Sequence, residues 1–83
     1  MAVKEDFDQA VQRVKTLPNQ GNNVLLDLYG LYKQATSGDV SGPAPGPFDL
    51  KGKAKHSAWA SRKGMSKDQA MEAYVNYVNK LVG

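Results

Sequence analysis

An all-α domain of four helices is the architecture this sequence predicts, and three observations carry it. Apolar residues recur at helical spacing in successive segments, and no segment alternates convincingly with the period of a strand. Helix-boundary chemistry stands where those segments begin and end, with Asp49 and Ser66-x-x-Gln69 as starts and Pro18 and Gly64 as stops. Finally, residues 1–83 suffice for a single domain, and one so small buries only about 60% of the surface its unfolded chain exposes. With no cysteine there is no disulfide to staple it and no thiolate metal site, so helix packing must supply the stability.

The first helix rests on Phe7, Val11, Val14 and Leu17, which share one face, and it ends at Pro18 and the Asn-Gln-Gly-Asn-Asn that follows. A second helix is expected from about Val24 to Thr36, with Asn22 or Asn23 as its cap. Three glycines and three prolines between Ser37 and Phe48 predict a loop, long for so small a domain and stiffened by its prolines. Asp49 can cap a third helix reaching about Arg62, and Gly64 stands where a helix end favours a left-handed residue. Ser66 and Gln69 have capping-box spacing and open a fourth helix that runs to near Val82. Its stripe of Tyr74, Val75, Val78 and Leu81 is expected to pack on the first helix.

The second helix carries one apolar face too many. Val24, Leu28, Leu31 and Ala35 fall within an arc of about 60°, enough for a core contact. A neighbouring arc holds Leu25, Tyr29 and Tyr32 and grades into Lys33, so the phenol of Tyr29 and the ammonium of Lys33 project side by side at i and i+4. Such a gradient suits a ligand with a greasy end and an anionic end. The alternative is a central helix with both stripes in the core and Lys33 snorkelling outward, and pattern alone favours that alternative.

Net charge is only +3, but it is unevenly placed. Residues 1–50 carry four bases and six acids, whereas 51–65 carry Lys51, Lys53, Lys55, Arg62 and Lys63 with no acid. A local patch on a near-neutral chain suits a small polyanion better than a nucleic-acid backbone, although a solvated helix face accounts for the charges equally well. Lys51 and Lys55 share a face in the first turns of the third helix, where an anion between them would relieve their repulsion and meet the helix N-terminus. Catalysis finds little support. His56 is the only imidazole, no serine has an activating partner, and neither a glycine-rich phosphate loop nor a metal-ligand cluster occurs. Trp59 reads as a core anchor, and Met65 and Met71 as core or loop filler. The acidic N-terminus excludes a secretory signal, no run is long enough to span a membrane, and no lipidation motif is present. A reducing, cytoplasmic setting is compatible with the lack of cysteine.

The run Tyr29-Gly-Leu-Tyr-Lys-Gln-Ala-Thr36 with Gly38-Asp39, then Asp49-Leu-Lys-Gly-Lys-Ala-Lys55, Ala58-Trp59 and Lys63-Gly-Met-Ser-Lys67, strongly resembles the acyl-CoA-binding proteins. The resemblance covers essentially the whole chain, and the motifs together are highly specific. It implies an up-down-down-up four-helix bundle and a non-catalytic monomeric carrier for long-chain acyl-CoA esters such as palmitoyl-CoA. No cofactor, no nucleic acid and no stable membrane anchoring are implied. By the same resemblance, Tyr29, Lys33 and Lys55 gather on the 3′-phosphate of the CoA ribose. Tyr32 and Tyr74 border the nucleotide, and Lys15 and Lys51 lie at the edge of the site. Leu25 lines the path of the acyl chain, with backbone around Gly30 and Leu31 in contact. The second stripe of the second helix would then be the ligand groove.

The sequence departs from the family pattern in two places. Position 56, commonly tryptophan, is His56, which replaces a large aromatic surface with a smaller imidazole. The link from Pro18 to Asn23 is about one residue shorter than in vertebrate members, and it is uncharged. Both changes spare the phosphate residues and bear instead on acyl-length preference and local stability.

Overall fold

The computed structural model describes residues 3–18 and 20–82. It contains α1 (Val3–Val14), α2 (Asn22–Ser37), α3 (Leu50–Ala60) and α4 (Lys67–Val82), and among the described residues no strand. The boundaries follow local chemistry. The helical bonding of α1 gives way to tighter i to i+3 bonds, from the N–H of Lys15 to Gln12 (3.2 Å) and of Thr16 to Arg13 (3.0 Å), before Pro18 disfavours further helix. Asp49 caps α3 as expected, its carboxylate accepting the Gly52 N–H at 2.9 Å. Ser66 and Gln69 form the reciprocal capping box, both bonds 3.0 Å long. Gly64 takes a positive φ of 97° in the turn between α3 and α4.

The start of α2 differs from expectation. Its N-cap is Gly21, in extended conformation and without any side-chain bond, and Asn22 and Asn23 lie inside the first helical turn. The Gly21 carbonyl accepts the Leu25 N–H at 3.1 Å, so the backbone alone opens the helix, and glycine tolerates that role. Asn19, within the shortened link, lies outside the described residues.

Cross-helix contacts define the topology. Arg13 of α1 donates to the Asn79 side chain of α4 at 3.0 Å, while Val3 and Asp6 adjoin Glu72, Val75 and Asn76, so α1 and α4 run the same way. Tyr77 of α4 donates to Asp27 at 2.8 Å, and the amide of Gln34 reaches Met65 just ahead of α4, so α2 and α4 are antiparallel. Leu25 and Leu26 face Leu50 and Ala54, Gly30 meets Ala58, and Gly38 meets Trp59, so α2 and α3 are parallel. The result is up-down-down-up, with helices packed in the order α1, α4, α2, α3. The body measures 40 × 28 × 15 Å, because a row of helices is thinner than a square bundle.

The core lies where α1, α2 and α4 meet: Phe7 and Ala10, then Leu28, Leu31 and Ala35, then Ala70, Met71, Tyr74 and Val78. Phe7 fills its centre, stacked on Tyr32 at 5.9 Å and edge-on to Tyr74 at 5.1 Å between ring centroids. α3 contributes no buried residue. Trp59 is therefore not a core anchor. It is half-buried against the end of α2, with its indole N–H donating to the Gly38 carbonyl at 2.7 Å.

One buried polar side chain ties the row together. Gln34 is fully enclosed, and its amide nitrogen donates to Asp39 at 2.8 Å and to the Met65 carbonyl at 2.8 Å. Both partners are acceptors, which fixes the orientation of the amide and leaves its oxygen unpaired. Asp39 also accepts the Gly64 N–H at 2.9 Å. That bond and then the Gln34 bond hold the Asp39 carboxyl below the usual aspartate range, with burial opposing them and nearby Lys63 adding the least.

Two outcomes are expected from this packing. Val78→Ala, at a position with no exposure, should cost about 1–3 kcal/mol through lost burial and an unfilled cavity, whereas Val14→Ala, half-buried on α1, should cost less. Denaturant midpoints check both. A carboxyl whose pKa is depressed by folding stabilises above its unfolded pKa and loses that stabilisation as pH falls through the folded one. Asp39→Asn should therefore lower stability at about pH 7, with the difference from the parent chain shrinking as pH falls through and below the ordinary aspartate range. A constant difference across that range would show that the charge of Asp39 plays no part.

Candidate functional site

The parallel pairing of α2 and α3 sets two aromatic–cation pairs side by side. On α2, Tyr29 and Lys33 are one turn apart, and on α3, Lys55 and Trp59 are one turn apart. The pairs meet in alternation. The Lys55 ammonium lies 5.4 Å above the Tyr29 ring, and the Lys33 ammonium lies 4.8 Å above the Trp59 ring. Each cation is steadied by an aromatic face, an interaction of roughly 0.5–1 kcal/mol at exposed sites. Among the described residues neither cation makes an ion pair, so both charges are open to an anion from outside. The ladder places Tyr29, Lys33, Lys55 and Trp59 along one seam.

An apolar hollow of about 330 Å³ continues the seam toward the start of both helices. Leu25, Leu26, Leu50 and Ala54 line it, with Asn22, Lys51 and Lys55 at its border. Leu25 and Lys51 thus sit together at this hollow. Leu26, Leu50 and Ala54 were not singled out from the sequence. Once α2 and α3 are known to be parallel they become legible, because Leu50 and Ala54 are i and i+4 on the face toward α2.

A second hollow, of about 520 Å³, opens on the other side of Tyr32, between α1 and α2. Lys15 and Tyr32 line it together with Lys4, Phe7, Val11 and Thr36. Tyr32 is 40% exposed there although its ring stacks on Phe7, so it offers one face to the core and the other to solvent. Tyr74 stands behind this surface, only 4% exposed. Burial, and then the neighbouring Tyr32 phenol, push its hydroxyl above the ordinary tyrosine value.

Gly30 and Leu31 are buried. A Cβ at position 30 would run into the Ala58 carbonyl, so the bare backbone of Gly30 sets how closely α3 can approach. Leu31 points into the core. The second stripe of α2 is accordingly neither wholly core nor wholly groove: Leu25 and Tyr32 are exposed, Tyr29 and Lys33 half-buried against α3. The polar hydroxyls nearby are engaged structurally, Ser61 donating to the Ala58 carbonyl at 2.7 Å and Ser66 capping α4. His56 is half-buried on α3. No group of three or more metal-ligating side chains occurs among the described residues, and none of their helices is long and apolar enough to cross a membrane.

A small helical protein with a cationic, aromatic seam between two hollows, one of them apolar, is built as a binding module for an amphipathic anion. The chain belongs to the acyl-CoA-binding protein family: residues 4–78 match the family model described as acyl CoA binding protein. It is 53% identical over 77 residues to acyl-CoA-binding protein homolog 1 of Caenorhabditis elegans, covering 92% of this chain and 90% of that protein. It is 45% identical over 84 residues to the acyl-CoA-binding protein of Ricinus communis, covering 100% and 93% of the two chains. The crystal structure of Oryza sativa acyl-CoA-binding protein 2 superposes with a TM-score of 0.95 at 43% identity, over 98% of this chain and 91% of that one.

The closeness of α2 to α3 can be tested at Gly30. Alanine would gain about 1 kcal/mol of helix propensity, but its Cβ must displace the Ala58 backbone, at a cost of about 1–3 kcal/mol for overpacking. Gly30→Ala is therefore expected to lower the thermal midpoint. A raised midpoint would mean that the two helices do not approach this closely.

Proposed function

We propose that this chain is a monomeric, non-catalytic carrier of long-chain acyl-CoA esters acting in the cytoplasm, with the CoA 3′-phosphate held at the seam of α2 and α3. Membership of the acyl-CoA-binding protein family supports the ligand class. The observation that carries the residue assignment is the alternation of Lys55 over Tyr29 and Lys33 over Trp59, two ammonium groups that make no ion pair among the described residues, with Lys55 also lining the apolar hollow. In this reading Lys33 and Lys55 meet the phosphate as point charges and Tyr29 donates its phenol, with no glycine-rich loop involved.

The acyl chain would lie in the hollow lined by Leu25, with Lys51 at its rim. The nucleotide would lie toward Tyr32 and Lys15. Tyr74 would act from behind Tyr32, and Gly30 and Leu31 would hold Tyr29 and Tyr32 in register. The ligand is long enough in chemical terms to need both hollows, so neither half alone should bind well.

Calorimetry with palmitoyl-CoA, free CoA and palmitate tests the groove. Binding of palmitoyl-CoA at 1:1 should exceed that of either half, and affinity should climb with acyl length at about 0.8 kcal/mol per buried methylene. Equal affinity for CoA and palmitoyl-CoA would refute it. The phosphate site is tested by pairing substitutions with ligand chemistry. Lys33→Ala or Lys55→Ala should weaken palmitoyl-CoA binding by about tenfold to a hundredfold, since charge-assisted bonds are worth roughly 1.5–3 kcal/mol. The penalty for removing the 3′-phosphate from the ligand should shrink sharply in the Lys33 variant. Lys63→Ala serves as the control for general attraction. If it loses as much affinity as Lys33→Ala, with the dephospho penalty unchanged in both, the assignment of the phosphate site fails.

A further inference from the structure

Of Lys51, Lys53, Lys55, Arg62 and Lys63, only Arg62 makes an ion pair among the described residues, its guanidinium lying 3.6 Å from the Asp27 carboxylate of α2. The other carboxylate oxygen of Asp27 accepts the Tyr77 hydroxyl of α4 at 2.8 Å. Asp27 therefore links the turn that ends α3 to a helix that α3 itself does not touch. Nor is Arg62 an ordinary solvated arginine. Its Nε is buried and makes no hydrogen bond among the described residues, so the side chain is packed down rather than extended into water.

The side of α2 on which this happens decides what it can do. At about 100° per residue, Asp27 and Lys33 lie about 60° to either side of Gly30, where the Ala58 backbone packs against α2. The cationic seam is thus on one side of the contact between α2 and α3, and the Asp27–Arg62 pair is on the other. Gly30 and Ala58 form a line between them about which α3 can roll but across which it cannot come closer. α3 places no side chain in the core, so apolar burial does not fix that roll. Arg62 is also bonded into the ladder, its backbone N–H donating to the Trp59 carbonyl at 3.0 Å. A pull at Arg62 is therefore felt at Trp59, whose ring lies 4.8 Å beneath the Lys33 ammonium.

We propose that Asp27 and Arg62 are positioning residues for the anion site: with Tyr77 orienting Asp27, the pair braces the far side of the α2–α3 contact and so sets the spacing of Lys33 and Lys55 at the seam. The pair is partly exposed and adds little to stability by itself, so its effect comes from where it acts. The proposal rests on the reading that the seam holds the CoA 3′-phosphate.

Asp27→Asn keeps the side-chain shape and an acceptor for Tyr77 but loses the charge, and Arg62→Met keeps the length but loses the guanidinium. The test is calorimetry of the whole protein with palmitoyl-CoA and palmitoyl-dephospho-CoA, on each variant and on the two combined. Each single change should weaken palmitoyl-CoA binding about threefold to tenfold, and the combination no more than either, as for two residues that act as one unit. The dephospho ligand should lose at most about twofold, because the brace serves the phosphate site. The sign at Asp27 is decisive: removing an acid should tighten an anion held by diffuse attraction, whereas removing a brace should weaken it. A readout free of ligand is the near-ultraviolet circular dichroism of Trp59, the only tryptophan, which should change in both single variants while the far-ultraviolet helix signal does not. An unchanged Trp59 band, a tighter palmitoyl-CoA complex in Asp27→Asn, or equal losses for the two ligands would each overturn the proposal. Lys33→Ala, measured alongside, tells the two failures apart. If it loses affinity and Asp27→Asn does not, only the positioning role falls. If Lys33→Ala loses none, the phosphate site itself is wrong and the positioning role falls with it.

Discussion

The side-chain amide of Gln34 is the joint on which this row of helices depends. α3 touches the rest of the bundle only along α2 and places nothing in the core, so apolar burial cannot fix its position. Its far end is held by hydrogen bonds instead. Gln34 binds Asp39 and Met65, Asp39 binds Gly64, and Trp59 binds Gly38. These bonds fasten the end of α2, the start of the crossover and the turn into α4 at one place. A buried amide with one unpaired oxygen costs on the order of 1–3 kcal/mol, and the cost is offset only if its other bonds hold several segments at once.

With that end fastened, the parallel run of α2 and α3 does the rest. Parallel helices keep the same sense of advance, so residues spaced i and i+4 on one meet residues spaced i and i+4 on the other in order. Tyr29 and Lys33 therefore meet Lys55 and Trp59 as a crossed ladder, and Leu25 meets Leu50 and Ala54 one turn earlier. Along the seam α2 changes from Leu25 to Lys33, while α3 offers Leu50 and Ala54 first and then Lys55 and Trp59. Antiparallel helices would have set the leucines of one against the lysines of the other. The twelve-residue crossover of positions 38–49 is what permits the parallel arrangement, since it must carry the chain back along the length of α2.

Local chemistry was legible in the sequence, and long-range partnership much less so. The cap at Asp49, the box at Ser66 and Gln69 and the positive φ of Gly64 each depend on residues within three or four positions, and each appears where the sequence places it. Asn22 and Asn23 misled because good capping residues do not have to cap when a backbone carbonyl opens the helix one residue earlier. Trp59 misled because tryptophan is usually buried, and nothing within α3 says that this helix has no core side. The excess apolar stripe on α2 was visible, but whether it faced core or ligand depended on which helix lay beside it and in which direction. The role of Phe7, between Tyr32 and Tyr74, joins three helices and has no local signature. The family resemblance could name candidate site residues from separate helices together only because it carries that missing three-dimensional information.

The same architecture bears on how binding and stability are linked. α3 is the least supported element, held by one helix and a few bonds at its end, and it is also one wall of the proposed site. A ligand lodged between α2 and α3 would supply from outside the apolar contact and the counter-charge that the helix lacks. By mass action, a ligand that binds only the folded state at a hundred times its dissociation constant adds about 2.7 kcal/mol, and that gain would be concentrated in the element with least support of its own. Filling the site with internal side chains would stabilise the protein and close the seam. A carrier has to leave that surface open, because its cargo must leave as readily as it enters.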